Sequence, residues 1–310
     1  MADPGRDART RRAKKQAGGW VWPLVAAPGT LWLLLLFVAP LYVVLAILFG
    51  QIDPILRQPV PVWNPIEWNT IQFRFVIEHI VGDQGYFGPP LLRTAVYVGI
   101  ASLLCLLISY PVAYFVARFA GRWQGVLLIL LVAPFWISYM MRMLAWINLL
   151  QNDGLVNQVI GLVNPSWQVN WLSGHAVTVI LGLAYGYVPY MILPLFAGLD
   201  RIPQQTLEAA RDLGAGRFET FRRVTLRLSM PAIVTASLLT CLPMLGDYFT
   251  TDLLAGTPGN SMVGNLINNA VLTPGQTGQA AAFVVIVSLV SLVPMMLYVW
   301  VSRDREGVAS

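Results

Sequence analysis

Residues 200–231 read DRIPQQTLEAARDLGAGRFETFRRVTLRLSMP and form a strongly charged connection between two apolar segments. Proline suits the first turn of a helix, so Pro203 predicts that a helix begins there. Apolar residues then recur at helical spacing, at Leu207, Ala210 and Leu213. Gly214-Ala215-Gly216 ends this helix, and a second amphipathic segment carries Phe218, Phe221, Val224 and Leu228. The stretch therefore predicts two short helices that meet at a glycine hinge.

The composition around this stretch is that of an integral membrane protein. The 310 residues are 56% hydrophobic and only 11% charged, whereas soluble globular chains carry about 25% charged residues. Several apolar runs reach the ~20 residues that a membrane-spanning helix needs. We expect an all-α fold with six transmembrane helices, at residues 22–49, 94–117, 126–150, 174–197, 231–251 and 280–301.

Positive charges predict the orientation of these spans. Sixteen of the 20 basic residues lie in the N-terminal tail, in the connections after spans two and four, and in the C-terminal tail. Cytoplasmic loops are enriched in Lys and Arg, so both termini are expected in the cytoplasm. The chain then divides into a basic cytoplasmic tail (1–21), a transmembrane domain (22–302) and a second tail (303–310). The net charge of +5 reflects this topology, and no nucleic-acid partner is expected.

Several residue types are too rare for common catalytic sites. Lys14 and Lys15 are the only lysines, so a nucleotide-binding loop with its G-K-[ST] signature is excluded. Two histidines and two cysteines, all far apart, support neither a metal site nor a bound cofactor. The sequence contains no G-x-S-x-G or H-E-x-x-H motif, so an intramembrane enzyme is not indicated. We therefore expect no catalytic residues and no bound metal.

The charged connection has two interpretations. By composition it fits an amphipathic hairpin resting on anionic lipid headgroups. By residue order, Glu208-Ala209-Ala210, three residues, Gly214 and nine residues to Val224-Thr225-Leu226, it resembles the EAA loop of ABC importer permeases. The resemblance implies that Glu208, Ala209, Ala210 and Gly214 form a coupling helix that docks on an ATPase subunit. Arg227 stands where the family pattern has proline, and Pro231 follows four residues later.

The resemblance covers most of residues 30–302. Pro134-Phe135-Trp136, Met141-Arg142, Ala145-Trp146 and Asn152 to Asn157 are similar to spermidine/putrescine permeases, as are Leu245 to Tyr248, Leu253 to Gly256 and Met262 to Ile267. It implies the six-helix fold of a type I ABC importer permease in a prokaryotic cell membrane, surrounded by lipid. It also implies a second permease subunit, two ATP-binding subunits that use ATP and Mg, and an extracytoplasmic solute-binding protein. The chain would move polyamines or a related small solute by alternating access.

Arg142 and Asp247 are the two charges well inside predicted spans, and intramembrane charges are functional candidates. Each lies 16 residues from the cytoplasmic start of its span, about 24 Å deep. They form either a buried ion pair, or a path in which Asp247 attracts a cationic substrate and Arg142 bonds loop carbonyls. Aromatic residues at the same level attract ammonium groups but also collect at membrane interfaces. The candidate path or gate comprises Trp136, Tyr139, Arg142, Trp146, Asp247 and Tyr248.

Two further expectations concern function. A self-sufficient secondary transporter or channel is the main alternative, although two buried charges give little support for ion coupling. On the outer side, Trp63, Trp68 and the loop 151–173 are predicted to form a docking platform for the binding protein.

Overall fold

The computed structural model describes residues 25–82, 85–164, 169–255 and 257–306. The predicted N-terminal tail 1–21 and the end of the C-terminal tail lie outside these ranges. The described chain is built almost entirely of helices, in agreement with the expected all-α class. The helices are α1 (Val25–Leu48), α2 (Ile71–Val81), α3 (Gly88–Phe119), α4 (Gln124–Val132), α5 (Tyr139–Leu150), α6 (Leu155–Val163), α7 (Ala176–Asp200), α8 (Gln204–Asp212), α9 (Arg217–Leu245), α10 (Phe249–Leu254), α11 (Val263–Leu272) and α12 (Thr277–Glu306).

Short irregular elements join these helices. One antiparallel hairpin pairs β1 (Gln51–Ile52) with β2 (Pro59–Val60) in the loop after α1. Single 3₁₀ turns occur at Pro65–Glu67, Gly121–Trp123, Ala133–Trp136 and Pro258–Asn260. Helices α1 and α9 each contain one π turn, at Leu34–Val38 and Phe221–Thr225.

Five helices in the described ranges are long and apolar enough to cross a membrane: α1, α3, α7, α9 and the part of α12 from Thr277 to Met296. The third predicted span, 126–150, was wrong as one continuous helix. Gly121–Trp136 and Tyr139–Val163 meet at a bend of 85°, and together they make the sixth span if each bent pair is one crossing. The bend lies at Ile137 and Ser138, which have extended backbone immediately after the 3₁₀ turn that contains Pro134.

The fifth span also differs from its predicted bounds of 231–251. Helix α9 already begins at Arg217, so the second short helix predicted in the charged connection is the first part of the span. Pro231 lies inside this helix without ending it. The helix stops at Leu245, and residues 246–248 separate it from the short helix α10.

The main core lies between α3 and α7, with α9 packed against both. Small side chains on α3 let the two backbones approach closely, because Cys105 donates to the carbonyl of Ala184 at 3.4 Å and Ser109 to that of Val188 at 3.1 Å. Close contacts of small and hydroxyl residues are what hold helices together in lipid, where burial of apolar surface gives no driving force. Helices α3 and α7 thus form the centre of the main core, against which α9 packs.

The C-terminal end of α1 carries a separate cluster. The ring of Trp68 stacks on Phe49 at 4.8 Å, and its indole N–H donates to the carbonyl of Val62 at 2.9 Å. Trp63 contacts Tyr42 but leaves 55% of its surface exposed. The short helix α2 follows Trp68 in the sequence and begins at Ile71. The two tryptophans therefore have different roles, since Trp68 packs within the cluster and Trp63 leaves one face exposed.

Candidate functional site

A break between α9 and α10 places Asp247 in the interior. Gly246 ends α9 with φ −93° and ψ 0°, and the backbone N–H groups of Gly246 and Asp247 bond the carbonyls of Pro243 and Met244. Asp247 is only 6% exposed. Gly264 of α11 lies against this break so closely that a Cβ there would sit 2.8 Å from the Gly246 oxygen. The carboxylate is thus held by a non-helical turn that α11 supports.

Three hydrogen bonds converge on the Asp247 carboxylate. The Tyr139 hydroxyl donates to Oδ2 at 2.6 Å, and the Thr250 hydroxyl donates to the same oxygen at 2.7 Å. The Thr250 backbone N–H donates to Oδ1 at 3.0 Å. Hydrogen bonds to a charged acceptor are about twice as strong as neutral ones. The carboxylate is therefore buried but well solvated by the protein, and Tyr139 ties α5 to the break.

Arg142 is buried nearby without forming an ion pair with Asp247. In the described ranges, the one ion pair within 4 Å joins Arg223 to Glu219 at the surface. Arg142 is 7% exposed, and its Nε has no hydrogen-bond partner in the part of the chain that the structure describes. Its guanidinium lies 4.8 Å from the Phe135 ring centre and 5.3 Å from that of Tyr139. Among the described residues, neither the predicted ion pair with Asp247 nor the predicted bonds to loop carbonyls are formed.

Helix α7 supplies an aromatic wall opposite α5. The ring of Tyr187 lies 5.8 Å from that of Tyr139, and Tyr190 meets Phe135 edge-on at 4.9 Å. Trp146 meets Tyr185 at 5.3 Å. Sequence reasoning missed the α7 tyrosines and Thr250; the only signal was the recurrence of tyrosine at 185, 187 and 190.

Two glycines of α7 make room for this assembly. A Cβ on Gly186 would lie 2.7 Å from Tyr139 Cε2, and a Cβ on Gly182 would lie 3.0 Å from Thr250 Cγ2 and collide with Leu254. These residues form a G-x-x-x-G pattern, which in membrane helices is typical of a close helix contact. The contact is made with α5 and α10, and it places Tyr139 and Thr250 within reach of Asp247.

Two of the predicted path residues lie apart from the carboxylate. Trp136 is 81% exposed. Tyr248 stacks on the neighbouring Phe249 at 4.2 Å, and its carbonyl accepts a hydrogen bond from Asn265 at 3.2 Å. Of the six residues predicted to line a path, the structure brings together Asp247, Tyr139 and Arg142, with Trp146 at one end of the aromatic wall.

The charged connection forms a second candidate site on the opposite end of the molecule. Helix α8 closes with a Schellman motif, in which the Gly214 N–H bonds the Arg211 carbonyl and the Ala215 N–H bonds the Ala210 carbonyl. Gly214 has φ +89°, a conformation that glycine adopts without strain. Glu208, Ala209 and Gly214 are exposed, and Ala210 is half-buried. The predicted glycine turn is present.

The apolar residues of this connection do not form one buried stripe. Leu207 is buried in the main core, whereas Leu213 and Phe218 are 89% and 75% exposed on either side of the turn. Large exposed apolar side chains that flank a rigid turn indicate a contact surface. The loop therefore presents an apolar tip as well as charges.

The connection is anchored to the helices around it. The Arg118 guanidinium donates to the carbonyls of Leu199 and Ile202, at 2.8 and 3.0 Å, and so fixes the end of α7 to α3. Phe221 packs edge-on against Tyr114 at 5.4 Å. A displacement of the loop would thus move α3, α7 and the start of α9 together.

Comparison with known proteins gives a family match over most of the chain. Residues 91–307 match the family described as "Binding-protein-dependent transport system inner membrane component". The chain belongs to this family. It is similar to the spermidine/putrescine transport system permease protein PotB of Haemophilus influenzae, with 33% identity over 67% of this chain and 71% of that protein, and to PotB of Escherichia coli K12, with 32% identity over 66% and 74%. The inner membrane ABC transporter permease protein YdcU of Escherichia coli K12 is 32% identical over 67% of this chain and 68% of that protein.

Solved structures agree on the fold. A bacterial ABC transporter that imports the acidic polysaccharide alginate superposes with a TM-score of 0.71 at 17% identity, over 95% of this chain and 99% of that chain. The protein is thus a permease subunit of an ABC importer in the bacterial inner membrane, and such subunits are not themselves enzymes. The expectations of an ABC importer permease, an all-α membrane fold and an inner-membrane location are confirmed, and a self-sufficient transporter is not favoured.

Proposed function

We propose that this permease moves polyamines or a related small cationic solute past Asp247. The observation that carries the proposal is a buried carboxylate facing hydroxyl groups and aromatic rings at a break between two helices. Ammonium groups are attracted both to carboxylates and to aromatic faces. The relatives named as spermidine/putrescine permeases support the same substrate class.

The chain couples this site to ATP through the loop 200–231. Glu208, Ala209, Ala210 and Gly214 face a partner ATPase, and the exposed Leu213 and Phe218 supply apolar contact area. Helix α9 spans 29 residues, about 43 Å, from the loop to the break at residues 246–248. Because one helix joins the two sites, a push on the loop reaches the Asp247 turn as a rigid-body movement. This is the alternating-access step of the proposed mechanism.

The working importer contains further subunits in this proposal. Two ATP-binding subunits bind ATP and Mg and dock on the cytoplasmic loops, with both termini of this chain on the same side. A second permease subunit completes the path, and membrane lipid surrounds the assembly. Residues 25–41 of α1 are exposed along their whole length, which fits contact with lipid or with that second subunit. An extracytoplasmic solute-binding protein delivers substrate to the outer surface near Trp63, and one structural neighbour is described in complex with such a periplasmic protein.

The substrate class is tested by uptake into proteoliposomes that contain the full importer and its binding protein. Labelled putrescine should accumulate only with ATP, and unlabelled spermidine should compete with it. An acidic amino acid and a neutral sugar, at equal excess, are the controls and should not compete. Transport of the sugar, or no ATP-dependent accumulation of either amine, would contradict the proposed substrate class.

A further inference from the structure

The buried guanidinium of Arg142 lies where a substrate cation would be expected to bind. It is 7% exposed, it lies over the rings of Phe135 and Tyr139, and no carboxylate in the described ranges approaches it within 4 Å. Its Nε has no hydrogen-bond partner among the described residues. A buried, incompletely bonded charge is unfavourable, so it persists only where the surroundings compensate for it.

The compensation comes from the same groups that would bind an ammonium ion. The two ring faces attract a cation, and Tyr139 joins its ring face to the Asp247 carboxylate through a 2.6 Å hydrogen bond. A guanidinium and an alkylammonium carry the same unit charge, and both are attracted to aromatic faces. Both cations would use the same two ring faces, so the two would compete.

The position of Arg142 in the fold also allows its guanidinium to move away from the two rings. It lies in the first turns of α5, directly after the 85° bend at Ile137 and Ser138, rather than in the middle of a continuous span. The hydrogen bonds that hold α5 to its surroundings at this level come from Tyr139, not from Arg142. A rotation of α5 or of the arginine side chain would therefore empty the space without breaking a hydrogen bond of Arg142.

We propose that Arg142 is a tethered cation that covers the aromatic faces of the substrate's ammonium subsite, formed by Phe135 and Tyr139 beside Asp247, in the substrate-free transporter. Substrate entry displaces the guanidinium, so the subsite opens only for a cation that can replace it. This inference rests on the proposed function, because it assumes that a cation passes Asp247. If the subsite is free in about one molecule in ten, removal of the arginine should raise the apparent affinity about tenfold.

The test is equilibrium binding of labelled putrescine to the assembled permease and ATPase complex in nanodiscs, without the binding protein. Arg142→Gln and Arg142→Met should bind putrescine about tenfold more tightly than the wild type. Arg142→Lys, which keeps a cation in place, should stay close to the wild type. Arg74→Gln removes an exposed arginine from α2 and is the matched control, expected to have no effect.

The two proposals fail in different ways. Unchanged or weaker putrescine binding in intact Arg142→Gln and Arg142→Met complexes overturns the tethered-cation proposal, and so does failure of both variants to assemble, since Arg142 would then be a structural charge. If the tethered-cation proposal fails in this way but Asp247→Asn loses putrescine binding, the proposed substrate path is still supported. If Asp247→Asn binds putrescine as tightly as the wild type, the proposed path itself is overturned.

Discussion

The hydrogen bond between Tyr139 and Asp247 gives the sharpest prediction about the site. These residues are 108 positions apart in the sequence, and their 2.6 Å bond connects α5 to the turn before α10. Tyr139→Phe removes the hydroxyl donor and keeps the ring that packs on Gly186 and Tyr187. Asp247→Asn removes the charge and turns one acceptor oxygen into a donor, which faces the hydroxyls of Tyr139 and Thr250.

The expected size follows from the burial of the pair. A hydrogen bond to a charged group contributes about 1.5–3 kcal/mol, and at 6% exposure of Asp247 little is lost to solvent. Each single variant should lower the stability of the complex by roughly this amount. The double variant should lose much less than the sum, with a coupling energy of about 1–2 kcal/mol, because both changes remove the same bond. Asp247→Asn should also reduce putrescine uptake between about tenfold and a hundredfold, equivalent to about 1.4–2.8 kcal/mol.

The assay is the thermal midpoint of the assembled importer, followed by size-exclusion chromatography, together with ATP-driven putrescine uptake. For a chain of this size, 1 kcal/mol corresponds to roughly 2–4 °C. Tyr185→Phe is the matched control, since the Tyr185 hydroxyl has no hydrogen-bond partner among the described residues. Additive effects of Tyr139→Phe and Asp247→Asn, or a Tyr185→Phe loss as large as that of Tyr139→Phe, would refute the reasoning.

Three further variants test other parts of the molecule. Gly214→Val forces a β-branched residue to φ +89°, at a cost of about 1–2 kcal/mol, and should uncouple ATP hydrolysis from uptake. The control is Gly216→Ser, which should keep normal coupling because Gly216 has φ −66°. Normal coupling in both variants would count against the docking role. Gly186→Ala should lower the thermal midpoint by the equivalent of about 1–3 kcal/mol, because its Cβ would lie 2.7 Å from the Tyr139 ring. The control Gly99→Ala, whose Cβ would lie in open space, should leave the midpoint unchanged. Equal midpoints in the two variants would contradict the prediction. A photo-cross-linker at Trp63 should capture the co-expressed binding protein, and capture of lipid or the second permease alone would place the platform elsewhere.

Local features of the sequence were sufficient for the membrane class and the glycine turn. Hydropathy identified the spans because a lipid-facing helix must be apolar along its whole length, whatever it packs against. Gly214 could be assigned to a helix end because a left-handed residue follows from local backbone sterics. The same reasoning failed for span three, since hydropathy does not distinguish a straight helix from two apolar helices that meet at 85°.

The site depended on longer-range contacts. Asp247 and Arg142 were found as charges in apolar segments, but their relation was open, because a count of residues gives depth and not the direction of a side chain. The tertiary structure determines which group binds the carboxylate. The bend at Ile137 and Ser138 and the glycines of α7 let α5 and α10 approach, so Tyr139, and not Arg142, bonds Asp247. The sequence by itself determined which segments enter the membrane and where the coupling turn falls, since both follow from local chemistry. Which side chains meet inside was decided only by the packing of helices far apart in the chain.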